Sequence, residues 1–145
     1  MPVRIIHTSG PLYQQVLDLR HRILRLPLGL TLSAADTAGE DRQHILVYLS
    51  QDRVSGCVLL QARDEGRMKM RQLAVDHHMQ GMGIGRQLVQ FAEDFARAQQ
   101  ATDMVLHARK SVLPFYLKLG YTAYGDAFNE VGIPHRGMKK ALKLL

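Results

Sequence analysis

The segment Gln80-Gly81-Met82-Gly83-Ile84-Gly85-Arg86 carries the strongest chemical signal in the chain. It follows the apolar run Arg71-Gln72-Leu73-Ala74-Val75. It opens a stretch in which Ile84, Leu88, Ala92 and Phe95 recur on one helical face. A strand, a glycine-rich turn and a helix start, in that order, make an anion site. The first amides of a helix have no internal acceptor, and the helix dipole adds partial positive charge beside them. Gly81, Gly83 and Gly85 lack a Cβ, so a phosphate can approach the main chain closely. Arg86, in the first turn of that helix, adds a formal positive charge at the same place.

Spacing excludes two familiar phosphate loops. A Walker loop requires Lys and then Ser or Thr after its last glycine, whereas Gly85 is followed by Arg86 and Gln87. A dinucleotide fingerprint requires Gly-x-Gly-x-x-Gly. Counted from Gly81 its last position is Arg86, and counted from Gly83 it is Leu88. What remains is Gln-x-x-Gly-x-Gly, met by Gln80, Gly83 and Gly85. In this pattern the chain resembles the GCN5-related N-acetyltransferases (GNAT), whose acetyl-CoA loop reads Gln or Arg-x-x-Gly-x-Gly/Ala. A second segment, Leu113-Pro114-Phe115-Tyr116-Leu117-Lys118-Leu119-Gly120-Tyr121, is similar to the Phe-Tyr-x-x-x-Gly-Phe/Tyr signature that ends that family's cofactor site. A third, Glu130-Val131-Gly132-Ile133-Pro134-His135, resembles the close of the ElaA-type branch, and Leu17-Asp18-Leu19-Arg20 fits the same branch.

The resemblance implies an acetyl-CoA-dependent N-acetyltransferase that releases CoA as product. Acetyl transfer to an amine requires a held thioester, a polarised carbonyl, a deprotonated amine and a protonated leaving thiolate. In the family the strand before the loop splays from its neighbour and offers main-chain groups to the pantetheine arm. By position that strand is Gln72–Val75, so Leu73, Ala74 and Val75 are expected at the cofactor, with Leu73 and Val75 as the main-chain contacts. The amides of Gln80, Gly81, Met82, Gly83, Ile84, Gly85 and Arg86 are expected on the diphosphate. Lys118 is expected to line the same site. Tyr116 stands where the family commonly places its general acid; a phenol, with a reference pKa near 10, is protonated at neutral pH. Arg109 stands where many members carry Asn. A guanidinium only donates hydrogen bonds, so its contact is redirected, to a phosphate or to solvent.

The general base is less defined. Met68–Val75 contains no acid, so the Glu that some members use there is missing. The candidates are His107, His135, Glu130 and the Glu40/Asp41 pair, with a water chain as the alternative. His107 ends a strand on the cofactor side, and an imidazole is the side chain suited to proton transfer near neutrality. Glu40, Asp41 and Glu130 could instead attract a cationic amine. His77 and His78 read as solvated loop residues. No metal site is expected. The acceptor is a small-molecule amine or a protein amino group, and a homodimer is left open. The rival function is a non-catalytic acyl-CoA-binding or sensor module on the same fold.

The elements that must position these residues fit one domain over residues 1–145. Val3–His7 reads as a strand. Ser9 and Pro11 start a helix with Leu12, Val16, Leu19 and Ile23 on its face, which Pro27 and Gly29 stop. Residues 33–39 read as a loop. His44–Ser50 and Val54–Ala62 form a hairpin around Gln51-Asp52-Arg53, and Met68–Val75 is a third strand. Gly83–Gln100 is the long helix, and Met104–His107 a further strand. Ser111 is expected to cap a short helix that Gly120 ends. Tyr121–Tyr124 and Arg136–Leu142 are the last strands. The fold class is α/β (α+β), and the resemblance makes it a central, twisted, mixed but mostly antiparallel sheet flanked by helices. The net charge is +6 without Trp and without a Lys/Arg block interleaved with aromatics, which favours a polyanionic cofactor over nucleic acid. Cys57 lies in an apolar run and is expected to be a buried packing residue. The chain shows no membrane-length apolar run and no secretory start, so a reduced, cytoplasmic location is expected.

Overall fold

Seven strands form one sheet in the computed structural model, which describes residues 2–143. They are β1 (Val3–Ile6), β2 (His44–Ser50), β3 (Arg53–Ala62), β4 (Arg67–Val75), β5 (Asp103–Arg109), β6 (Thr122–Glu130) and β7 (Ile133–Ala141). Their spatial order is β1-β2-β3-β4-β5-β7-β6. Neighbouring strands are antiparallel except β4 and β5, which run parallel. The mixed, mostly antiparallel sheet is the one expected from the sequence. Its α-helices are α1 (Leu12–Arg20), α2 (Ala34–Thr37), α3 (Ile84–Ala98) and α4 (Leu113–Lys118). No helix among the described residues is long and apolar enough to cross a membrane.

Period-two alternation divides the core between the two faces of the sheet. Leu46, Val58, Leu60, Met70 and Leu106 pack with Leu88 and Ala92 of α3 and with Tyr116 of α4. Ile45, Val47, Cys57 and Leu59 pack with Val16 and Leu19 of α1. Cys57 is fully buried, and burial pushes its thiol up to about 12. At Gly56 a Cβ would meet Ile84 and Leu88 at 3.0 Å, so the missing side chain is what lets α3 lie close to β3.

Local sequence explains the elements and also the departures. The β2–β3 hairpin turns on Gln51 and Asp52 with φ of +50° and +64°, the two-residue geometry whose twist suits a hairpin. Past Arg20 the first helix widens into a π-helical turn, His21–Arg25, followed by a 3₁₀ turn, Leu26–Leu28, that contains Pro27 and ends at Gly29 in the left-handed region. Residues 33–39 are not all loop. Ser33 and Asp36 form a reciprocal capping box that folds Ala34–Thr37 into one helical turn. Ser111 does not cap α4: the cap position is Val112, without a side-chain bond, and Pro114 sits in the first turn instead. The final strands run longer than the alternation predicts. They are joined by Val131 and Gly132, both at positive φ. Strand β6 is an edge, exposed along most of its length, so burial leaves little pattern in its residues.

Candidate active site

A cleft of about 860 Å³ opens where β4 and β5 part. The two strands pair only over Arg67–Met70 and Asp103–Leu106. Beyond Met70 a bulge interrupts β4: Leu59 faces Arg71 but Cys57 faces Ala74, and Gln72 between them has φ of +58°. The extra residue bends the strand away from β5. Past the bulge, the Asp76 amide bonds the Ser55 carbonyl on β3. Main-chain groups alternate sides along a strand, so those of Leu73 and Val75 turn toward the gap. The Val75 carbonyl already accepts from Gln80 Nε2 at 3.0 Å. Leu73, Ala74 and Val75 all line the cleft.

The glycine-rich loop closes one end. Gly81 and Gly83 have φ of +80° and +82°, and a Cβ at either would meet nothing within 4 Å. Gly83 caps α3 without a side-chain bond, and the first amide turned back into the helix is that of Gln87. The amides of Gly81 through Arg86 have no protein acceptor among the described residues. The open row begins at Gly81 rather than Gln80, whose amide bonds the His77 carbonyl at 3.3 Å. Gly81, Gly83, Ile84, Gly85 and Arg86 line the cleft, whereas Met82 points outward. From α4, Phe115 and Tyr116 face in. The Tyr116 ring is nearly buried, its hydroxyl bonds no protein group among the described residues, and burial pushes its phenol above the ordinary value. Lys118 is not part of this wall, contrary to expectation. In a helix of six residues, Phe115 and Tyr116 take the inward face and Lys118 is left exposed.

The opposite end gathers the sequence's separate base candidates into one cluster. His107 Nδ1 lies 2.9 Å from Glu130 Oε1, and His135 Nε2 lies 3.6 Å from Glu130 Oε2. Their placement follows from register. Phe128 pairs directly with His135 across β6 and β7, and Glu130, two residues on, shares its face. The Phe128 ring packs against both imidazoles. His107 pairs with Gly137, which puts no side chain between β5 and β6. A carboxylate can only accept, so Nδ1 of His107 donates, which leaves Nε2 as its free lone pair. His135 Nδ1 donates to the Ile133 carbonyl at 2.9 Å. Among the described residues no group of His, Cys, Asp and Glu is arranged to hold a metal ion.

Arg109 neither reaches the glycine-rich loop nor points to solvent. Its Nη2 donates to the Leu24 carbonyl at 2.6 Å, tying β5 to the π-helical turn. Burial, reinforced by the nearby Arg25, lowers its pKa. Glu40 is also not what the sequence suggested. It is no exposed acid but a buried hub: Arg20 donates to both of its oxygens at 2.7 and 2.8 Å, Arg71 at 2.9 Å and Tyr13 at 2.6 Å. With its lone pairs occupied it is unavailable as a base. Burial alone would raise its carboxyl, but the bonds from Arg20, Tyr13 and Arg71 outweigh that and hold it below the ordinary value. Arg20 Nε also donates to Gln72 Oε1 at 3.2 Å, so the hub holds the bulge. Sequence reasoning missed this group, although Arg20 falls on the apolar helix face of Val16 and Ile23. It also missed Asp36, which lines the cleft and pairs with Arg25 at 3.0 Å; that pairing holds its carboxyl at about 2.

The acetyltransferase (GNAT) domain family matches residues 32–142. The uncharacterised protein YyaT of Bacillus subtilis is 32% identical over 108 residues, 74% of this chain and 71% of its own length. Among solved structures, Escherichia coli ElaA superposes with a TM-score of 0.81 at 18% identity, covering 95% of this chain and 97% of its own. An aminoglycoside 6'-N-acetyltransferase complexed with coenzyme A superposes with a TM-score of 0.79 at 18% identity, covering 99% and 98%. The splayed parallel strands, the uncapped glycine-rich helix start and these matches agree: the chain belongs to the GNAT acetyltransferase family.

Proposed function

We propose that the chain, as a single domain over its 145 residues, transfers an acetyl group from acetyl-CoA to a primary amine by direct attack, without an acyl-enzyme. The observation that carries this reading is the run of unpaired amides from Gly81 to Arg86 at the end of a cleft between parted parallel strands. The residues present fit the cofactor. The open space over Gly81 and Gly83 admits a diphosphate against the main chain, and Arg86 adds a cation beside it. Leu73 and Val75 offer main-chain groups to an extended arm in the gap. When bound, acetyl-CoA would supply the acetyl group and leave as the free thiol.

The protein's own groups divide the proton work between two sides of the gap. His107, oriented by Glu130 through Nδ1, presents Nε2 as the acceptor for the amine's proton. His135, fixed by its Nδ1–H on the Ile133 carbonyl, stands beside Glu130 with Nε2 3.6 Å from Oε2 and shapes this end of the gap. Tyr116, kept protonated by its buried surroundings, holds a proton on its hydroxyl for the departing sulfur. The test is Tyr116→Phe, assayed by thiol release. It should lower kcat by about 10²–10⁴-fold with little change in acetyl-CoA affinity; equal rates would remove Tyr116 from the mechanism.

A further inference from the structure

The acceptor end of the cleft has more positive charge than its carboxylates neutralise. Asp36 is committed to Arg25, at 3.0 Å. Glu40 is shared by Arg20 and Arg71. Glu130 accepts one hydrogen bond, from His107 Nδ1, and is a single negative charge set against Lys69 and Arg109. Lys69 and Arg109 also line this end, and neither has a carboxylate within ion-pair distance among the described residues. Burial pushes the Lys69 ammonium below its ordinary value, and the charge of Glu130 only partly opposes this. A cation that is half-buried without a full counter-ion is incomplete.

Register fixes where Lys69 stands. It pairs with Val105 on β5, so it shares a sheet face with His107, two residues along that neighbouring strand and about 8 Å away on the diagonal. Arg71 and Arg109 are on that same face, each two residues beyond Lys69 and His107 on their strands; Arg71 reaches Glu40 and Arg109 the Leu24 carbonyl. The glycine-rich loop lies at the far end of β4, about 20 Å from Lys69 by strand rise, so the cofactor's diphosphate does not complete it.

Resting on the acetyltransferase reading above, we propose that the acceptor is a small amine bearing an anionic group, a carboxylate or a phosphate, which Lys69 receives while His107 Nε2 takes the proton from the nitrogen. Arg109 adds to the positive field without leaving Leu24. A cationic polyamine would meet one exposed carboxylate, Glu130, set among Lys69, Arg71 and Arg109, and a neutral amine leaves Lys69 unsatisfied.

The test uses matched acceptors that differ only in the anion: amino acids against their amides, β-alanine against its amide, and phosphoethanolamine against ethanolamine. Thiol release should show kcat/KM favouring the anionic member by about 10- to 100-fold, the worth of one charge-assisted bond. The carboxylate and phosphate arms separate the two anion types. Lys69→Glu should reverse the preference toward neutral or cationic amines, which loss of a merely structural lysine would not do. Equal use of both members by the wild type, or an unchanged preference in Lys69→Glu, would overturn the proposal while leaving acetyl transfer intact. Calorimetry on the CoA-loaded protein separates the two readings from the other side: preferential binding of anionic amines without turnover would support the anion site and remove the catalytic reading.

Discussion

Glu40→Gln tests the hub beneath the bulge. The side chains of Arg20 and Glu40 are 0% and 1% exposed, so neither charge can turn to water if its partner is lost. Glutamine keeps the shape and one acceptor oxygen but removes the negative charge, and it places an NH₂ among Arg20, Arg71 and Tyr13. Removing one partner of a buried pair costs about 3–5 kcal/mol. The retained acceptor puts this variant at the low end, about 3 kcal/mol, against a total stability of about 5–15 kcal/mol. For a chain of this length that lowers the melting temperature by about 6–12 °C. The pH dependence is a second signature. The Glu40 carboxyl is held below its ordinary value in the folded protein, so its contribution is present above the unfolded value and is lost as pH falls through the folded one. The difference between wild type and variant should therefore be full at pH 7 and shrink under acid. Thermal unfolding followed by circular dichroism from pH 7 down to pH 3 measures both. A variant melting within about 2 °C of wild type at pH 7, or a gap that widens under acid, would refute the reasoning.

Gly83→Glu should weaken acetyl-CoA binding in calorimetry by more than about tenfold, because it brings a negative charge to the open amides and a side chain to a φ of +82°; unchanged affinity would remove the loop from the cofactor site. His107→Gln should lower kcat/KM by about 10²–10⁴-fold with acetyl-CoA affinity retained, and added imidazole should restore part of the rate; full activity in the variant would leave the proton to water. Cys57 should resist maleimide in the native protein at pH 8, since it is fully buried and its thiol is pushed up to about 12. Rapid labelling without unfolding would contradict its packing.

What the sequence made legible is what local pattern encodes. The loop was readable because glycine spacing is itself the device, and Leu73–Val75 because an apolar run leads into it. Tyr116 was readable from its neighbours in the motif. The errors share a different cause. Lys118 was placed by belonging to the right helix, but six residues make under two turns, and only packing decides which face turns inward. The resemblance puts Arg109 where the family carries Asn and sends it to a phosphate or to solvent, and the sequence offers Glu40 beside Asp41 as a base or an amine-attracting acid. The roles of Arg109 and Glu40 depend on Leu24 and Arg20, distant in sequence, and no local rule reports such a partner. The turn at Ala34–Thr37 was legible in Ser33 and Asp36, a capping box at the right spacing, but small polar residues up to Gly39 hid it. The bulge had no local mark at all: Gln72 takes a conformation usually left to glycine, and the tertiary bond from Arg20 holds its side chain there.

The two walls of the cleft do not hold each other apart, since no strand pairing joins β4 to β5 beyond Met70. Each is tied to the same short stretch of the first helix. Arg20 reaches Gln72 on β4, Arg22 reaches Asp76 just after it, and Leu24 receives Arg109 from β5. The π-helical turn His21–Arg25 lies across these ties. A π turn adds a residue to the helical repeat, and that shift lets Arg20 and Arg22 serve one wall while Leu24 serves the other. The width of the gap is thus set by one segment that touches both strands, and the strain at Gln72 persists because a buried ion pair anchors the arginine that holds it.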